Sequence, residues 1–311
     1  MTTFALQAQP TDAASWLELA RRAETAGFGT LQAADHPGSC AAPYVALAAA
    51  AAVTSQIRLG AYVANAGVRE PLLLAADVAT LDVVSGGRAH LGLGAGHTPA
   101  EWRAVGLDRP DVAGRVGRCL AVAEAVRGLL DGQTVTADTP HLRLFDASLD
   151  KPRPVQEHVP LLLGTANTRM LRWAGAHADI VGLTGFGRTL PDGHRHDARW
   201  RLDQIDAQVE AVRSGATGRD TGPELEALVQ VVEVTDDAEA VAAAHAEELG
   251  MSVNDLLEVP FVLVGTIAEI QSAIERHEKR WGITRYAVRA PAFDAVESLG
   301  LLQPGARSDS R

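Results

Sequence analysis

Asp35 and His36 stand side by side directly after the short run TLQAA, and an imidazole placed there can give or take a proton near neutral pH. A histidine merely hydrogen-bonded into its rim would look the same. Neighbouring residues on an extended chain point to opposite sides, so a direct Asp35–His36 side-chain bond is not implied. A second group is GLGAGH (92–97), where three glycines in five positions let backbone approach a ligand closely. Its spacing is not GxGxxG, and no strand ends in an acid about 20 residues further on, so a dinucleotide fingerprint is not supported. The third group is GTANTRM (164–170), a strand-to-helix junction whose free amides and positive dipole end suit a phosphate. Thr165 and Asn167 would serve equally as caps of that helix. Asn65 closes the run IRLGAYVAN and offers both donor and acceptor to a heterocycle, or holds the next turn.

Weaker signals surround these. His194 and His196 flank Arg195 in an Arg-rich stretch, which reads as a solvated tract before it reads as a metal pair, and no metal site is expected. Trp16, Trp173 and Trp281 fall at helical positions and read as core aromatics, whereas Trp102 could wall a pocket. Arg289, at the last strand's end, could meet an anion or a structural partner. Lysine occurs only at Lys151 and Lys279, so imine chemistry is poorly supported. Cys40 and Cys119 form no CxxC or zinc pattern and read as free thiols.

These residues need a scaffold that brings distant segments together. Short apolar runs alternate with Ala/Leu-rich amphipathic stretches along almost the whole chain, the pattern of β/α units around a parallel sheet. Runs at 4–8, 30–34, 57–63, 89–93, 161–164, 179–183, 228–234 and 286–289 supply the strands of an α/β fold, a (β/α)8 TIM barrel. Asp12 can cap a helix that Gly27 ends, and Thr235 and Asp237 precede another that stops near Gly250. Residues 133–156 read as a two-stranded insertion after the fourth strand, and 182–199 as a mobile loop after the sixth. The expected organisation is one barrel domain over 1–303 and a frayed tail over 304–311. A parallel barrel gathers its strand carboxyl ends on one face, which places Gln7, Asp35, His36, Asn65, the glycine run and 164–167 together.

Composition narrows the partners. With 39 acidic against 28 basic residues and a formal charge of −11, a phosphate-backbone binder is disfavoured, so no nucleic-acid partner is expected. The longest nearly apolar run, 41–53, contains Pro43 and falls short of the roughly 20 residues a bilayer needs. No secretion signal is readable in MTTFALQAQP, so the cytoplasm is expected.

The runs LARRAETAGFGTLQAADH (19–36), LAAAAAVTSQIRLGAYVAN (47–65), SGGRAHLGLGAGHTPAEWRAVGL (85–107), KPRPVQEHVPLLLGTANTRM (151–170) and VPFVLVGTIAEIQSAIERHEKRWGITRYAV (259–288) carry a family resemblance. The chain resembles the bacterial luciferase-like flavin oxidoreductases, in the subset of coenzyme F420-dependent actinobacterial enzymes. That resemblance implies hydride transfer between reduced F420 and a small organic substrate, with FMN as the alternative cofactor. An FMN-dependent monooxygenase would need a partner flavin reductase, and a barrel that binds flavin without catalysis is a third reading. It further implies a cofactor held by Gln7, Asp35, Ala64, Asn65, Gly94, Gly96, Gly164, Thr165, Ala166 and Asn167, with His36 passing a proton. In deazaflavin sugar-phosphate dehydrogenase relatives a catalytic glutamate matches His97, so His97 departs from the pattern while still expected as a catalytic residue on the substrate side. Glu101 matches a family acid and is expected to fix its loop. A non-prolyl cis peptide is implied near the end of the third strand, and a homodimer; the Ala-rich helices at 43–53 and 71–81 could supply its interface or equally cover the barrel.

Overall fold

The computed structural model describes residues 1–190 and 196–303. Eight parallel strands close a barrel: β1 Thr3–Gln7, β2 Thr30–Ala33, β3 Arg58–Ala61, β4 Ala89–Gly94, β5 Leu161–Thr165, β6 Ile180–Leu183, β7 Glu224–Leu228 and β8 Ile283–Arg289. Each pairs in parallel with the next, the β7–β8 register shifting between Leu225 and Glu226, and β8 returns to β1 through Thr3–Arg285 to Gln7–Arg289. The third strand is interrupted by a cis peptide between Tyr62 and Val63 and resumes as Ala64–Asn65 against β4.

Local chemistry accounts for the helices between. Asp12 accepts the Ser15 amide at 3.0 Å to start Ala13–Ala26, and Gly27, at φ 99°, ends it. Asp237 and Gly250 bracket Ala238–Leu249 in the same way. Strand alternation then divides the core. Phe4, Leu6, Leu31, Leu59 and Leu91 face the surrounding helices, while Ala5, Tyr62, Leu162, Ile180, Leu228 and Ala287 form a second, smaller cluster on the opposite, interior face.

Two sequence expectations are corrected. The seventh barrel strand is Glu224–Leu228, not 228–234; Val231–Val234 instead pairs in parallel with Val262–Gly265 outside the barrel. The glutamates disguise β7, yet Glu226 is fully buried inside the barrel because Gln32 Nε2 and Arg285 Nε both donate to it, at 3.1 and 3.2 Å. The segment 182–199 is not a loop throughout: after β6, Phe186–Thr189 pairs antiparallel with His196–Ala198, and 191–195 lie outside the described residues. The insertion does form a hairpin, Val135–Asp138 with Arg143–Ala147. The expected tail at 304–311 lies outside the described residues.

Candidate active site

The carboxyl ends of the strands open into one cavity of about 1060 Å³. Its floor depends on missing side chains. A Cβ on Gly92 would overlap the Ala61 carbonyl of β3, and one on Gly94 would overlap Val63. Val63, which follows the break in β3, occupies the space left by Gly94 and Gly164 and lines the cavity. Gln7 steadies this bulge, its Nε2 donating to the Tyr62 carbonyl at 2.6 Å.

His36 follows β2 and lines the cavity with 37% of its side chain exposed. Its Nδ1 lies 2.7 Å from Glu101 Oε1, which leaves Nε2 as the nitrogen available to the cavity. Glu101 sits in the short helix Pro99–Ala104, only 5% exposed, and its other oxygen accepts Asn65 Nδ2 at 2.6 Å. Asn65 Oδ1 in turn accepts the Gly67 amide. The hydrogen bond that His36 donates to Glu101 is the main reason the imidazole holds its proton above the usual range; burial opposes it and the nearby Asp35 charge adds to it. Burial works to raise Glu101, but the bonds from His36, Thr98 and Asn65 leave it below the ordinary carboxylate range.

His97 differs in kind. Burial, with the charges of His196 and His36, pushes it down to about 4, so at neutral pH it is an uncharged imidazole. Its ring stands edge-on between His36 at 5.5 Å and His196 at 4.4 Å, and His196 stacks on Phe186 at 5.0 Å. The strand pair after β6 thus reaches the same cavity as the end of β2.

Of the sequence-predicted site residues, Gln7, Asp35, His36, Asn65, Gly94, Gly96, His97, Gly164, Thr165, Ala166 and Asn167 all line this cavity. Ala64 does not. It is fully buried in the outer core, because the break at 62–63 turns Val63 toward the cavity in its place. Asp35 is engaged: its oxygens accept Arg69 Nε at 2.5 Å and Nη2 at 2.7 Å, and one also accepts the Asn65 amide at 2.8 Å, so it fixes the end of the third strand. Asn167 caps the helix Thr168–His177 by accepting the amides of Arg169 and Met170, and Thr165 Oγ1 accepts the Asn167 amide. Trp102 does not wall the pocket; it is 2% exposed, packed into the space that Gly67 leaves. His194 and Arg195 lie outside the described residues.

Sequence reasoning gave Glu101 only a loop-fixing part and, of the cavity's arginines, named only Arg289. Arg109, Arg115, Arg188, Arg199 and Arg289 all border the cavity. Five guanidiniums against the three carboxylates Asp35, Glu101 and Asp111 leave this opening an excess of positive charge, opposite in sign to the chain's net charge of −11. Such an opening suits a large, planar, anionic cofactor with a substrate beside it: glycine backbone and Val63 below, positive charge around the rim, and a helix start at 168 for a phosphate.

Comparisons with known proteins agree with this geometry. Residues 2–286 match the family described as luciferase-like monooxygenase. An uncharacterized protein of Mycobacterium tuberculosis is 35% identical over 190 residues, a match spanning 60% of this chain and 60% of that protein. The 5,10-methylenetetrahydromethanopterin reductase of Methanopyrus kandleri is 27% identical over 93% of both chains. The solved structure of the coenzyme F420-dependent tetrahydromethanopterin reductase from that organism superposes with a TM-score of 0.77 over 97% of this chain and 98% of its own, at 22% identity. The oxygenating constituent of 3,6-diketocamphane monooxygenase from Pseudomonas putida, solved with FMN, has the same fold at a TM-score of 0.72, covering 97% of each chain at 15% identity.

Proposed function

Because the chain belongs to the luciferase-like monooxygenase family, whose members include F420-dependent reductases and FMN-dependent monooxygenases, we propose that it is an oxidoreductase moving a hydride between reduced coenzyme F420 and a small organic substrate. The observation that carries this reading is the His36–Glu101 pair at the cavity wall, buttressed by Asn65. When bound, the deazaflavin supplies the hydride; the chain supplies position, dryness and a proton. Gln7, Val63, Gly94 and Gly96 form the surface on which the ring would rest, and 164–167 with the helix start would take its phosphate. His36 Nε2 then delivers a proton to the substrate atom that gains charge, while Glu101 holds the imidazole in one tautomer and stabilises its charged form. His97, uncharged, can orient a polar substrate group without competing for that proton. The cis peptide at Tyr62–Val63 stands where the family resemblance implied one.

We further propose that residues 1–303 act as one domain and that the protein works in the cytoplasm as a homodimer. Val45 on the helix Pro43–Ala51, and Leu73 and Val84 on the helix Pro71–Ser85, are exposed apolar side chains on the two helices that could supply its interface. Among the described residues no helix is long and apolar enough to cross a membrane.

Parallel equilibrium titrations with F420 and FMN, followed by cofactor fluorescence, test the reading. Saturable binding of F420 alone is expected. Preference for FMN would transfer the protein to the monooxygenase branch with a partner reductase, and binding of neither would leave a non-catalytic barrel.

A further inference from the structure

Arg109 follows the short helix Pro99–Ala104 and lines the cavity, yet its Nε is buried without a hydrogen-bond partner. Burial alone pushes its guanidinium pKa below the usual range, and no carboxylate offsets it. The three carboxylates that line the cavity are committed. Asp35 is held by Arg69, Glu101 by His36 and Asn65, and Asp111 accepts the Gly114 amide at 2.7 Å to start the helix Val112–Leu130. Asp197, on the paired segment after β6, has a buried Oδ1 without a bond, but it makes no ion pair with Arg109. Arg115 and Arg109 repel each other, and Arg115 Nη1 is turned to the Pro110 carbonyl. A partly desolvated guanidinium with no counter-charge is costly to keep, and the cost is recovered only when an anion arrives.

Its place in the cavity says which anion. The charge of Arg109 bears on His97, the ring between His36 and His196. The helix start at 168, suited to the cofactor's phosphate, belongs to a different wall, after β5. We propose that Arg109 binds an anionic group of the substrate, a carboxylate or a phosphate, and so turns the reacting end of that molecule toward His36. Arg199, on the segment after β6, adds positive charge to the same opening. The inference rests on the oxidoreductase reading for the word substrate, but the anion site itself does not need a redox cofactor.

Calorimetric titration of the protein, with and without F420 or FMN, against benzoate, phenyl phosphate and the neutral isostere benzamide provides the test. An anion preference of about tenfold or more over benzamide is expected, the size of one charge-assisted contact. Arg109→Gln should abolish that preference and Arg109→Lys should keep part of it, both with cofactor affinity within about threefold of the parent. Equal binding of benzoate and benzamide overturns the proposal, as does a preference that survives in Arg109→Gln. Loss of cofactor affinity by about tenfold or more in Arg109→Gln also overturns it, assigning Arg109 to the cofactor's own acidic tail. Failure of both cofactors to bind would defeat the oxidoreductase reading while the anion titrations remain decisive for Arg109.

Discussion

Three imidazoles, His90 and His277 in the core and His97 at the cavity wall, sit where burial disfavours a proton, and they should make the fold acid-labile. Burial pushes His90 down to about 3 and His97 and His277 down to about 4. In an unfolded chain each titrates near 6.5, so below that pH the unfolded state binds protons that the folded state refuses, and stability falls as pH falls. At about 1.36 kcal/mol per pH unit, each imidazole forfeits about 2 kcal/mol by pH 5, and the three together about 6 kcal/mol. A domain holds about 5–15 kcal/mol in all, so this loss is decisive. His36 has the opposite sign: its raised folded value gives a contribution complete below pH 6.5 and lost as pH rises through the folded value. Glu101, lowered in the fold, keeps its contribution until pH falls through its folded value, below the ordinary 4.5. Neither offsets the loss between pH 6.5 and 5. Urea unfolding followed by circular dichroism at pH 7.5, 6.5, 5.5 and 5.0 reads the slope directly. His277, packed on Trp281 and bonded through Nδ1 to the Tyr286 hydroxyl at 3.1 Å, does not line the cavity. His277→Phe should remove about one proton from the slope and so retain about 2 kcal/mol more of its own neutral stability at pH 5. An unfolding midpoint that does not move between pH 7.5 and 5 refutes the argument.

Glu101→Gln removes the charge that keeps His36 protonated, so the alkaline limb of turnover should move to lower pH and turnover at pH 7.5 should fall about tenfold; a superimposable pH profile sinks the pairing. His36→Ala should cost about 100-fold or more in turnover with cofactor affinity within about tenfold, and unchanged turnover removes it from proton transfer. Asn167→Asp preserves the helix cap, since aspartate caps as well as asparagine, but sets a negative charge beside the expected phosphate. Cofactor affinity should weaken about tenfold at constant melting temperature, and equal affinity takes the residue out of the phosphate site. Gly96→Ala meets both a positive φ of 67° and a collision with Asn65 Oδ1; about 1 kcal/mol or more of stability should go, with activity, and a neutral thermal scan contradicts the geometry.

What could be read from the chain without its structure followed the range of the forces involved. Caps at Asp12, Asp237 and Asn167 act over three residues, so their spelling is local and they form as expected. The barrel was legible because apolar runs recur wherever a strand must be buried on both faces. Where a strand instead buries charge, the pattern fails. Glu226 hides β7, since its partners Gln32 and Arg285 come from β2 and β8, which closure alone brings alongside. The same reason hid the partner of His36. Glu101 lies 65 residues away in sequence, and nothing in PAEWRA distinguishes an acid that fixes its own loop from one that reaches across to β2. Energetics supplies the distinction that spacing cannot: a carboxylate 5% exposed persists only with several donors, and those available are His36, Asn65 and Thr98. Holding the loop and holding the imidazole are therefore one act. Arg109 inverts that logic, for it is buried at Nε without its partner, and the partner that would complete it is the part of the reaction the chain does not encode.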